Sequence, residues 1–123
     1  MAIKHKSTDQ FLKFWLPVYT YAALIFVFSS FSPDLQPPVI LHADKLLHLI
    51  EYAILGYLLA RAAKNSSSLK LSAHFRVFAV CVAIIYGMSD EFHQYFVPGR
   101  GVESLDLVAD GVGAFIGQLF LRG

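Results

Sequence analysis

The chain has a single cysteine, Cys81, so it cannot form an intramolecular disulfide and cysteine usage says nothing of its redox compartment. Lying in the middle of an apolar run, Cys81 reads as a small core hydrophobe. An excess of one charge is also missing. Ten Lys and Arg stand against nine Asp and Glu, the net charge is +1, and there is no basic run of the kind that tracks phosphates, which argues against a nucleic-acid partner. No P-loop, nucleophile elbow or glycine-rich dinucleotide fingerprint occurs. No compact metal motif is present either, so no metal site is assigned and no cofactor is specified. Ser89, beside Asp90, is a poor nucleophile, because a helical serine usually bonds back to a carbonyl.

What the chain has in excess is hydrocarbon. Its hydrophobic fraction is 56% and its mean hydropathy +0.55, against roughly 45–50% apolar residues in soluble domains. The excess falls in four blocks, and 123 residues leave room for one domain. The expectation is an all-α, four-helix transmembrane bundle forming a single integral membrane domain over 1–123, with spans at about 11–31, 44–63, 75–97 and 104–121. A basic start followed by an apolar run also describes a signal peptide, but the first run is long for that and three more follow, so it is read as a retained helix. Pro17 falls early in it, where a lost hydrogen bond costs least. Ser32 to Pro38 is a breaker cluster and reads as a loop, and Leu69 to His74 either extends the second loop or begins the third helix. Ser104 is placed to cap the fourth helix. Lys4, Lys6, Lys13, Arg61, Lys64, Lys70, Arg76 and Arg122 lie at the tail, the second loop or the C-terminus, whereas Lys45 and Arg100 lie near the other two turns. The positive-inside rule therefore places both termini in the cytoplasm.

Within these greasy segments sit groups that hydrocarbon does not tolerate unless they face a bundle interior or a wet cavity. On the second helix Asp44, His48, Glu51 and Tyr52 gather on one side, with Lys45 near its edge; on the third, Tyr86, Asp90 and Gln94 form a ridge with Gly87 and Glu91 alongside. On the fourth, Asp106, Asp110, Gly113 and Gly117 share a face, and the two glycines allow close approach to a neighbour. A rise of about 1.5 Å per residue puts Glu51, Asp90, Glu91 and Asp110 each roughly 10 Å below the outer rim. Six acids then face Lys45, Arg100, His48 and His93, and they cannot all be ionised and unpaired in a low dielectric. Asp44, Ser104 and Asp106 also have a simpler reading as groups that cap or complement helix starts, and His93 one as an amphipathic filler at headgroup level.

The ordered set Asp44-Lys45-x-x-His48, Tyr52, Gly56, Asp90-Glu91-x-x-Gln94-x-Phe96, Pro98-Gly99-Arg100, Ser104, Asp106, Asp110, Gly113 and Gly117 resembles the VanZ-like family of small bacterial membrane proteins. The resemblance runs from residue 44 to 117, the first helix being matched only as an apolar span. Asp110 stands where many relatives carry Asn, so the position asks for a hydrogen-bonding amide or acid. The family takes its name from a protein associated with low-level resistance to the glycopeptide teicoplanin. The resemblance thus implies a multi-pass protein of the bacterial cytoplasmic membrane with a cell-envelope role. It implies Asp44, Lys45, His48, Tyr52, Asp90, Glu91, Gln94, Arg100, Asp106 and Asp110 as site residues; Glu51 enters from the physical reading alone.

Three functions follow as expectations. The first is an outward-facing pocket that binds, and in an enzymatic version modifies, a membrane lipid or a lipid-linked cell-wall precursor. There Asp90 or Glu91 is the general base, His48 a proton shuttle and Arg100 an anion clamp, with Asp44, Lys45, Glu51, Tyr52, Gln94, Asp106 and Asp110 lining the ligand. A glycopeptide is the alternative partner. The second is a proton- or cation-coupled transporter subunit, which with four helices requires a homo-oligomer. The third is a structural membrane subunit whose charges lock the bundle.

Overall fold

The computed structural model describes residues 8–30, 43–96 and 104–121, with side chains from residue 46 on in the second stretch and from residue 106 on in the third. Among the described residues the fold is all-helical. α1 spans Thr8–Ser29, with a wide π-type coil at Phe11–Trp15 before it settles into α-helix at Leu16. α2 is Ala43–Lys64, α3 the short Leu69–Ala73, α4 Phe75–Tyr95 and α5 Ser104–Gln118. The segment left between loop and helix in the sequence is thus its own turn of helix. Ser68 caps α3 by accepting from the Leu71 N–H at 3.3 Å, and Ser72 Oγ donates to the last carbonyl of α2, Lys64, at 2.8 Å.

Of the four expected spans, α1 and the Leu46–Lys64 part of α2 are long and apolar enough to cross a membrane by themselves. α4 and α5 are helices but fall short of that standard. α4 has the length, but carries Arg76, Asp90 and Glu91. α5 has 15 residues, about 22 Å of helix against a hydrocarbon core of about 30 Å.

The helices alternate in direction. At one end Gln10 Nε2 donates to the Asn65 carbonyl at 2.8 Å, joining the start of α1 to the end of α2. At the other, Ser30 Oγ lies 2.8 Å from His93 Nε2, joining the end of α1 to the end of α4. The first end carries Arg61, Lys64, Lys70 and Arg76, and is called the basic end below; the second receives Asp90, Glu91, Asp106 and Asp110.

α2, α4 and α5 form the core, and the α2–α5 contact is its most extensive. Glycine makes that contact possible. A Cβ on Gly113 would collide with the Leu49 carbonyl, one on Gly117 with the Ala53 carbonyl, and one on Gly56 with the backbone of Ala114, so the two backbones meet with no side chain between them. α4 presents Ala79, Ala83, Gly87, Asp90, Glu91 and Gln94 to this pair at helical spacing. α1 leans on α2 and α4 and buries only Val18, Ile25 and Ser29. It is apolar all round, as suits a helix facing mostly lipid.

The core mixes Tyr52, Leu55 and Leu59 with small and acidic side chains, while many large apolar side chains point outward. Ala60, Ala79, Ala83 and Ala114 are fully buried, as is Asp110; Val77, Ile85, Met88, Phe92, Val108 and Phe115 are exposed. Cys81 is exposed too, on the outer face of α4, rather than in the core where the sequence placed it. A chain folded against water does not leave so many large apolar side chains exposed over buried acids.

Pro17 is accommodated by a partner from another helix. It has no N–H to offer the carbonyl four residues back, Lys13. Arg61 Nη2 donates to that carbonyl at 3.2 Å, and its guanidinium lies 5.0 Å from the centre of the Phe14 ring.

Candidate functional site

His48 and Tyr52, one turn apart on α2, face α5 and α4. His48 Nδ1 lies 2.8 Å from Asp110 Oδ1, and its Nε2 lies 3.9 Å from Asp106 Oδ2, beyond hydrogen-bonding distance. The Tyr52 ring lies nearly parallel to the imidazole, with centroids 6.4 Å apart, and reaches the Tyr86 ring of α4 at the same separation. Asp110 and Tyr52 are wholly buried and His48 is 9% exposed. The pairing gives the imidazole a direction. With Nδ1 held by Asp110, Nε2 is the nitrogen left to exchange a proton, and it points toward Asp106.

Gly87 of α4 completes the arrangement. A Cβ there would come 2.8 Å from Asp110 Oδ2, so the carboxylate occupies space that only a glycine leaves open. Asp110 Oδ2 and Tyr52 Oη are both buried and have no hydrogen-bond partner among the described residues. Leaving such atoms unmet costs about 1–3 kcal/mol each.

Asp90, Glu91 and Gln94 are buried on the inner side of α4. Asp90 is close enough to Tyr52 and Asp110 to act on both electrostatically. Gln94 Nε2 donates to Ser29 Oγ at 3.4 Å, which turns it toward α1. Glu51 is half-buried, within electrostatic range of His48 and Tyr52, and its backbone carbonyl accepts from Tyr21 Oη at 3.0 Å. His48, Tyr52, Asp90, Asp106 and Asp110 therefore come together at one level of the bundle, with Glu51 within electrostatic range and Glu91 buried next to Asp90 on α4. Asp44 and Lys45 lie in the first turn of α2 with side chains outside the described ones; Arg100, the Pro98-Gly99 pair and the Ser104 side chain lie outside the described residues as well.

His93 belongs elsewhere. Besides its contact with Ser30, its ring stacks on Phe26 with centroids 4.3 Å apart, and it fastens α1 to α4. Tyr86 does the same one level deeper by donating to the Ala22 carbonyl. Ser89 Oγ donates to the Tyr86 carbonyl at 2.8 Å, the back-bonded state that disqualifies it as a nucleophile. The His48–Asp110 partnership and the recess at Gly87 were not read from the sequence. The available signal was the shared level of residues 48, 87 and 110 on helices of alternating direction.

Magnitudes separate the parts that hold the helices from the parts that do not. A hydrogen bond between helices in a membrane is worth about 0.6 kcal/mol on average and about 1.7 at most. The glycine seam brings two helices into backbone contact at three glycines, so the His48–Asp110 bond is a minor contributor to the α2–α5 association. Its burial with further acids around it makes it the candidate functional centre.

A bundle with an apolar exterior, two helices fit to cross a membrane and a buried cluster of acids around one histidine defines a membrane-embedded helical protein with an internal polar site. Within that class the chain belongs to the VanZ/LLP1 family, whose model matches residues 3–122 and so takes in α1 as well as the segments carrying the motif residues. Neither the curated proteins nor the solved structures provide a match.

Proposed function

We propose that this protein is a multi-pass component of the bacterial cytoplasmic membrane, with both termini cytoplasmic, and that its acid and histidine cluster opens to the outer side as a pocket for a lipid or lipid-linked envelope component. In this reading all four long helices span the bilayer, and the work of the protein relates to glycopeptide resistance of the teicoplanin type. The observation that carries it is the buried His48–Asp110 pair, directed at Asp106 with Asp90 and Tyr52 close by, inside a bundle whose outer surface is largely hydrocarbon. Family membership supports the envelope role.

The chemistry proposed is proton movement at a bound headgroup. Asp110 holds the imidazole by Nδ1, so His48 passes a proton through Nε2. Asp90 or Glu91 serves as general base, and Arg100 grips a phosphate or carboxylate of the ligand in a bidentate manner. Tyr52 Oη has hydrogen-bonding capacity to offer a hydroxyl or amide of that ligand.

Teicoplanin tolerance of cells producing the chain tests this reading. The wild type is expected to raise tolerance, and Asp90→Asn or Glu91→Gln to abolish the effect while membrane insertion stays intact. Full tolerance in both amide variants would remove the assignment.

A further inference from the structure

The bundle has a second feature that the acid cluster does not use. Between α4 and α5, at the basic end, lies a groove of about 510 Å³. Val77, Val80, Phe115 and Leu119 make it apolar, and Arg76 and Gln118 are its polar lining. Arg76 is exposed in the first turn of α4 and stays beside Phe75, with its guanidinium 5.0 Å from that ring. Gln118 is 2% exposed, and its Oε1 has no hydrogen-bond partner among the described residues. An apolar trough with one cation and one unsatisfied buried amide is built for an amphiphile, since a second helix would bring no anion to Arg76 unless it carried one.

We infer that this groove binds an anionic phospholipid, with an acyl chain along Val80 and Phe115, the phosphate on Arg76 and a headgroup hydroxyl within reach of the Gln118 amide. Charge decides the headgroup class. Arg61, Lys64 and Lys70 stand at the same end of the bundle as Arg76, so an ammonium headgroup would be repelled there while a neutral glycerol headgroup would not. The planar guanidinium suits a phosphate because it offers two parallel donors. The site lies at the end of the bundle opposite His48 and Asp110 and does not depend on what they do.

The test uses the full chain in mild detergent, offered equal amounts of phosphatidylglycerol and phosphatidylethanolamine, with retained lipid read by native mass spectrometry. Wild type is expected to retain the glycerol lipid over the ethanolamine lipid by about tenfold, because the cations at this end repel the ammonium. Arg76→Gln, which removes the partner of the phosphate that both lipids carry, is expected to lower retention of each by about tenfold. Val80→Trp or Leu119→Trp, which fill the trough, are expected to lower retention of both lipids, whereas Ile50→Trp, which adds bulk on the exposed face of α2 at the other end, leaves the ratio as it was. Thermal unfolding of each variant confirms that it is folded, and the two tryptophan variants in the groove stand in for one another. Equal retention of both lipids by wild type, or undiminished retention of both in Arg76→Gln, would overturn the inference. Displacement of the lipid by an equal concentration of glycerol phosphate would overturn it as well, since that marks a site for free phosphate.

Discussion

At the residue scale the centre of the molecule is a carboxylate fitted into the gap left by a glycine. Gly87→Ala puts a methyl against Asp110 Oδ2, and the carboxylate must turn away from His48 to make room. The expected result is a destabilisation of about 1–3 kcal/mol, seen as a lower unfolding temperature in detergent, together with loss of teicoplanin tolerance. Gly111→Ala is the comparison, because its added carbon would meet only the Ile84 side chain at 3.4 Å and should leave both properties near wild type. At position 110 itself, Asp110→Asn keeps a group able to hydrogen-bond with His48, whereas Asp110→Leu leaves the buried imidazole without that partner. The leucine variant is expected to lose stability, by about 1–2 kcal/mol given the modest worth of such bonds in membranes, and the asparagine variant to keep most of it. Equal unfolding temperatures for the two would mean that the hydrogen bond contributes nothing.

At the scale of elements, the four long helices and their alternation could be read from the sequence because each is a separate apolar block, and block boundaries are set by Pro, Gly and charged residues that any reader can see. The face carrying Gly113 and Gly117 was legible for the same reason. Which helix those glycines meet was not, since one glycine face fits any neighbour with matching small residues, and only the fold shows that Leu49 and Ala53 supply the opposing backbone. His93 was ambiguous for a related reason: its neighbours in sequence are acids, but its neighbours in space are Phe26 and Ser30 of α1. Arg61 counts as a surface cation for orientation, yet it also replaces the hydrogen bond that Pro17 withholds from Lys13. Gly117→Val is expected to force α2 and α5 apart at the Ala53 carbonyl and to abolish the folded bundle, with a cost of more than about 2 kcal/mol. Size-exclusion behaviour and helix content in detergent would check it, and a folded, monodisperse Gly117→Val protein would mean that the seam is not as tight as drawn.

For the whole molecule, the distribution of residue types decides the environment. Acids at the core and phenylalanines on the rim are stable only where the surroundings are less polar than the interior. This reading extends the spanning role to α4 and α5, which composition alone ranks below α1 and α2 because their buried faces carry charge. A topology measurement follows from it. In a Cys81→Ser background, a cysteine at Ser67 is expected to react with an impermeant thiol reagent only in broken cells, and one at Phe96 to react in intact cells. Labelling of both positions from the same side would remove α4 from the list of spanning helices.

The claim on which everything else rests is that carboxylates from separate helices share one site that holds an envelope amphiphile. Mass spectrometry of the lipids that stay with gently purified protein addresses it most directly, comparing wild type with Glu91→Gln and Arg100→Ala. The account predicts a headgroup class retained by wild type and lost from both variants, with bulk lipid unchanged. Identical lipid profiles in all three proteins would contradict it.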